Sequence, residues 1–73
     1  MPRLPTVSCN DTISAFERVG WRVKRRGNHV VMTKPGSIVS LSIPNHREIA
    51  KGTLRKLIRL AGMTVDEFTQ LLP

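Results

Sequence analysis

The sequence is short of acids, of cysteine and of long apolar runs, and each shortage removes a class of function. Of its 73 residues 5 are Asp or Glu. They are scattered over expected helix starts and a loop, so no grouping of carboxylates is at hand to hold magnesium. A single cysteine, Cys9, cannot form an internal disulfide, and no Cys/His cluster has zinc spacing. Nothing staples the fold, which suits a reducing cytoplasm. The apolar runs last a few residues, too few for a membrane span, and the N-terminus lacks the apolar segment of a secretory signal. Glycine-rich phosphate loops, repeats and low-complexity segments are absent as well. The expectation is a small cytoplasmic protein without metal or small-molecule cofactor.

What the chain has is positive charge in one place. The formal charge is +7, from 12 Lys+Arg against 5 Asp+Glu. The whole excess falls between Arg18 and Arg47, a stretch with no acid, while the remainder balances. Such concentration favours a phosphate backbone or an acidic protein as partner, and a merely solubilising surface is the plain alternative. A composition that is 40% hydrophobic is globular. The length predicts one domain over residues 1–73, near the lower limit for a self-sufficient core.

Residues 1–6, with two prolines, read as an irregular lead-in. Ser8 can cap a helix, with Asp11 three residues on as a short-armed capping box. Cys9, Ile13 and Phe16 at helical spacing predict a helix over about residues 9–19, closed by Gly20. From Trp21 the period changes to two. Trp21 and Val23 alternate with Arg22, Lys24 and Arg26, as in a strand with one apolar and one charged face. Gly27-Asn28 then makes a hairpin turn in which both residues tolerate positive φ.

His29 to Thr33 forms a second strand, Lys34-Pro35-Gly36 another turn, and Ile38 to Ile43 a third strand ended by Pro44. In the connection that follows, Glu48 to Lys51 can form a helical turn, and a clear helix starts at Gly52-Thr53 with Thr53 as its cap and Leu54, Leu57, Ile58 and Ala61 along one face. Gly62 stops it. Thr64 with Glu67 forms a second capping box before a short last helix carrying Val65, Phe68 and Leu72. The expected fold is α+β, in the order α-β-β-β-α-α, with a three-stranded antiparallel sheet whose helices pack on one face. Strand parity sends Val30 and Met32 inward. It leaves His29 on the uncovered face with Arg22, Lys24 and Arg26, provided no bulge intervenes.

A histidine among cations is the smallest kit for metal-independent RNA cleavage. RNA carries its own nucleophile, the 2′-hydroxyl. The protein has to move protons with an imidazole and stabilise phosphorane charge with cations. His29 is therefore the candidate general acid/base, with Arg22, Lys24 and Arg26 positioning phosphates. A plain surface role for His29 stays open on residue chemistry alone. His46 is a second acid/base or a loop-shaping residue. Arg55, Lys56 and Arg59, opposite the Leu54/Leu57/Ile58 stripe, either grip phosphates or face solvent, and Arg47 and Lys51 add charge between sheet and helix. Cys9, Phe16 and Trp21 fall on apolar faces and are expected in the core.

Taken together, the helix ending at Gly20, Gly27-Asn28-His29, Pro44-Asn45-His46, Lys51-Gly52-Thr53-Leu54-Arg55 and Ala61-Gly62 resemble the HicA toxins, small messenger-RNA endonucleases of toxin–antitoxin systems. The resemblance runs over about residues 7–72. It implies a double-stranded-RNA-binding-domain-like fold, an endoribonuclease (mRNA interferase) activity, a catalytic histidine at His29 and a HicB-like antitoxin as partner. The serine usual before that histidine is Asn28 here, which can still form the turn and donate a hydrogen bond. Two rival readings use the same basic surface: a non-catalytic module that binds RNA duplexes, and a protein-interaction module that meets an acidic partner.

Overall fold

The computed structural model describes residues 4–73, so the first three residues of the expected lead-in, Met1, Pro2 and Arg3, lie outside the described residues. The rest of that lead-in is irregular but not idle. Leu4 and Val7 are buried, and the Val7 carbonyl accepts from the Ile49 N–H at 2.9 Å. Six elements follow: α1 (Cys9–Glu17), β1 (Arg22–Arg25), β2 (His29–Thr33), β3 (Leu41–Pro44), α2 (Lys51–Leu60) and α3 (Val65–Leu71). The strands form one open antiparallel sheet in the order β1-β2-β3. This is the expected α-β-β-β-α-α arrangement. Among the described residues no helix is long and apolar enough to cross a membrane.

Helix α1 starts where its cap demands. The Ser8 hydroxyl accepts from the Asp11 N–H at 3.1 Å, supplying one of the donors that a helix start leaves without a partner. The helix ends at Glu17, somewhat short of the expected residue 19. Gly20 then turns back at φ +100°, which lets the Trp21 N–H reach the Phe16 carbonyl at 3.1 Å. Phe16 meets the Trp21 ring edge-on at 6.4 Å and the Phe68 ring at 5.2 Å. One aromatic cluster thus ties α1, the entry to β1 and α3 together. Val30, Met32, Leu41 and Ile43 on the sheet meet Leu54, Leu57, Ile58 and Phe68 in the same core.

Further boundaries differ from expectation, each for a local reason. Strand β3 begins at Leu41 rather than Ile38. The Ser37 hydroxyl bonds both the N–H and the carbonyl of Val39 (3.2 and 3.3 Å), holding the chain in a local loop that competes with the ladder. Ile38 is left fully exposed. Pro44 is the last residue of β3, not the first beyond it, and β3 is an edge strand, where proline is tolerated. Helix α2 begins at Lys51, ahead of the expected Thr53 cap, after Ala50, which makes no side-chain cap bond. The buried Ile49, pinned to Val7, delivers the chain straight into the first turn. Helix α3 starts as expected, with Thr64 and Glu67 exchanging bonds of 3.1 and 2.9 Å in a reciprocal capping box.

The β1–β2 connection is the residues Arg26, Gly27 and Asn28, and neither Gly27 nor Asn28 has a positive φ. The expected two-residue turn of left-handed residues is therefore not formed. A Cβ on Gly27 would meet the His29 carbonyl at 3.9 Å, an ordinary contact, whereas Gly20 needs its positive φ. Gly20→Ala should cost about 1–2 kcal/mol of stability, and Gly27→Ala should cost nothing. Urea unfolding of the two variants checks both, with equal losses the contrary outcome.

Candidate nucleic-acid interface

With the helices behind it, the sheet shows its other face to solvent, and the strand register decides what stands there. Strand β2 behaves as its alternation requires. Val30 and Met32 are buried, while His29, Val31 and Thr33 face outward. Opposite them on β3, His29 pairs with Pro44 and Val31 with Ser42. Strand β1 departs from strict alternation. Arg22 pairs with Thr33 and Val23 with Met32, but Val31 is met by Arg25, so Lys24 is the extra residue of a β-bulge.

That bulge re-sorts the cations. Lys24 and Arg25 stand together, lining a depression of about 420 Å³ with Val31 and Ser40 on the open face. Arg22, opposite Thr33, extends the row. Arg26, expected beside His29 on strand parity, lies beyond β1 in the connection, and its charge acts on Cys9 at the start of α1. Arg25, whose parity would have turned it away, takes the open-face position. The open face thus carries Arg22, Lys24 and Arg25, with Val31, Thr33, Ser40 and Ser42 as a small, mildly polar floor. Arg25 is the diagonal neighbour of His29 across the ladder, roughly 7–8 Å between Cα atoms, within reach of a long side chain.

His29 opens β2 and is exposed. No side-chain hydrogen bond among the described residues engages its ring, so both nitrogens are open to a bound group. Its position is set through the backbone. The Asn45 N–H donates to the Asn28 carbonyl at 3.1 Å, and the Asn45 side-chain amide donates to the Gly27 carbonyl at 3.3 Å. These two bonds tie the β1–β2 connection to the end of β3, immediately beside the His29–Pro44 pair. The positioning role of Asn45 was not foreseen. Its spacing of 18 residues from Gly27 is visible only once β2 and β3 are paired.

The remaining candidates stand elsewhere. His46 and Arg47 line a second depression with Ser8, Cys9, Asn10 and Asn45. The backbone of His46 holds α1, its carbonyl accepting from the Cys9 N–H at 3.0 Å, which supports the loop-shaping alternative. Lys51, Arg55 and Lys56 are exposed on α2, a helix that packs behind the sheet, so they do not join the open-face row. Cys9, Phe16 and Trp21 are buried in the core, as expected. Burial pushes the Cys9 thiol up from its ordinary pKa, and the Arg26 charge pulls it part of the way back. Among the described residues no group of three or more His, Cys, Asp or Glu side chains is placed to hold a metal ion.

Residues 9–63 match the family model described as the HicA toxin of bacterial toxin–antitoxin systems. No curated protein matches the chain.

The placement of Arg26 beyond β1, where its charge acts on Cys9, can be read at the thiol. A thiol reagent such as Ellman's should label native Cys9 slowly, because the group is buried and protonated at neutral pH. Arg26→Gln should slow labelling further by raising the thiol pKa, while Arg25→Gln should leave the rate unchanged. The reverse pattern would show that the two arginines had been assigned to the wrong sides.

Proposed function

The chain belongs to the HicA toxin family of bacterial toxin–antitoxin systems, and from that premise we propose that it is an endoribonuclease acting on messenger RNA without a metal. The observation that carries the reading is the open face itself. An exposed histidine whose ring has no side-chain hydrogen bond among the described residues stands at one end of a row formed by Arg25, Lys24 and Arg22. The whole forms one HicA-like domain, working in the cytoplasm against RNA and held in check by a HicB-like antitoxin.

In this reading the RNA backbone lies along the sheet, with phosphates over the Lys24–Arg25 depression. His29 takes the proton of a 2′-hydroxyl as its oxygen attacks the adjacent phosphorus, with water protonating the departing 5′-oxygen, or gives its own proton to that oxygen while water takes the one from the 2′-hydroxyl. The bond to the 5′-oxygen breaks, leaving a 2′,3′-cyclic phosphate and a 5′-hydroxyl. Arg25 and Lys24 bear on the phosphorane, where negative charge grows. Asn28 and Gly27, clamped by Asn45, hold the approach to His29. One positioned acid/base contributes roughly 10²–10⁴-fold, so a modest nuclease is expected. The Lys24–Arg25 depression offers phosphate contacts, and the 2′-hydroxyl supplies the nucleophile that the side chains do not. DNA, which lacks it, should survive.

The direct test incubates the protein and its His29→Ala variant with RNA in EDTA. Cleavage by the parent, loss of about two or more orders of magnitude in the variant, and intact DNA are expected. Equal cleavage by both proteins, or cleavage that stops with the chelator, would overturn the mechanism. RNA held but left whole by both proteins would favour the non-catalytic RNA-binding module instead.

A further inference from the structure

At the far end of β2 from His29, roughly 13 Å along the strand by its rise per residue, lies a site that the proposed reaction does not use. A cavity of about 260 Å³ opens between the β2–β3 turn and the end of α2, lined by Trp21, Lys34, Pro35, Gly36, Ser37 and Leu60. Two features set it apart from ordinary surface relief. The indole Nε1–H of Trp21 is buried and has no acceptor among the described residues. Among the described residues it is the one buried side-chain nitrogen or oxygen without a partner, and a buried donor without an acceptor is costly to keep. Beside it, apolar surface that the fold could have covered is left out. Leu60 is 44% exposed on the rim, and Ile38 just past the turn is fully exposed.

Lys34 supplies the third element. It lines the cavity and is half-buried, and its stem lies over Gly20 with Cε 3.3 Å from where a Cβ would stand. A Cβ there would push the lysine off the neighbour of Trp21. The flexible stem thus packs over the residue before Trp21 while lining the same cavity as the indole-bearing side chain. A single cation at an apolar mouth over an unused donor is poor ground for RNA, whose phosphates are better served by the Arg22–Lys24–Arg25 row. It suits a carboxylate flanked by apolar side chains.

We propose that this cavity is a docking site for an acidic–apolar peptide segment of a partner protein, with a carboxylate on Lys34, an acceptor for the Trp21 indole and an apolar side chain against Leu60. Charge complementarity argues for the occupant: the chain carries +7 overall, so an acidic segment is drawn to it generally and held here by the apolar rim. Docking at this end leaves the His29 face uncovered. A partner bound here can hold the protein without blocking the sheet, and this does not depend on the protein being a nuclease.

Trp21 is the single tryptophan, so its indole N–H gives one isolated amide-type resonance. The probe is the hexapeptide acetyl-Glu-Leu-Glu-Leu-Glu-Leu-amide, titrated into the intact protein, with the Lys-for-Glu peptide and a hexanucleotide RNA as controls. The expected result is a saturable downfield shift of the indole proton with the acidic peptide alone. Lys34→Gln should weaken binding about three- to fivefold, the scale of one rim ion pair. Leu60→Asp should abolish the shift, and His29→Ala should leave it unchanged. Leu60 is exposed, so these variants keep the core intact. An indole resonance that stays put at millimolar peptide, that responds equally to the basic peptide or to RNA, or that ignores both Lys34→Gln and Leu60→Asp would overturn the proposal. So would shifts confined to Arg22, Lys24 and Arg25, which would mark a charge-only encounter on the sheet.

Discussion

A sheet of three short strands with helices on one side has one face to bury and one to leave wet. That constraint governs the rest of the molecule. Val30, Met32, Leu41 and Ile43 point to the helices and are fully buried, so the alternate residues of the same strands have to meet water. The Phe16–Trp21–Phe68 cluster locks the helices to the buried side. An incorrect register would put the whole apolar set into solvent. The burial of one face therefore fixes the composition of the other, where the cations and His29 stand.

Within that frame, one extra residue decides the electrostatics of the open face. Were β1 strictly alternating, Arg22, Lys24 and Arg26 would line up beside His29. The bulge at Lys24 seats Arg25 against Val31 and sends Arg26 into the connection. Lys24 and Arg25 then share one depression instead of flanking the sheet plane. Two adjacent cations on one side give a denser field for a phosphate than the same charges on alternate faces. The Asn45 bonds to Gly27 and Asn28 finish the arrangement by tying the connection after the bulge to β3. In the proposed reaction it is this tie, together with the ladder, that aims the imidazole.

Much of this was legible in the residues, and the misses have physical causes. The six elements, their order, the inward Val30 and Met32, the Ser8 cap and the Thr64 capping box follow from local chemistry, because each rests on neighbours within a few positions. The start of β3 did not, since Ile38 and Val39 look like strand until the Ser37 hydroxyl is seen to bond the Val39 backbone. At the start of α2, Thr53 is a better cap than Ala50, and only the long-range Val7–Ile49 bond explains why the weaker residue holds the position. The bulge has no local signal in Arg22-Val23-Lys24-Arg25. It is a property of the pairing, so strict alternation assigns Arg26 the place in the row that the pairing gives to Arg25. The family membership was carried by several short motifs in order, of which Lys51-Gly52-Thr53-Leu54-Arg55 is the longest.

The most direct test compares RNA cleavage by two single variants, Arg25→Gln and Arg26→Gln, at equal protein concentration in EDTA. If the bulge sets the working face, Arg25→Gln slows cleavage by about ten- to a hundredfold, the scale of one charge-assisted contact. Arg26→Gln should stay within about twofold of the parent. A large loss in Arg26→Gln with Arg25→Gln near the parent rate would contradict the assignment and restore the strictly alternating strand.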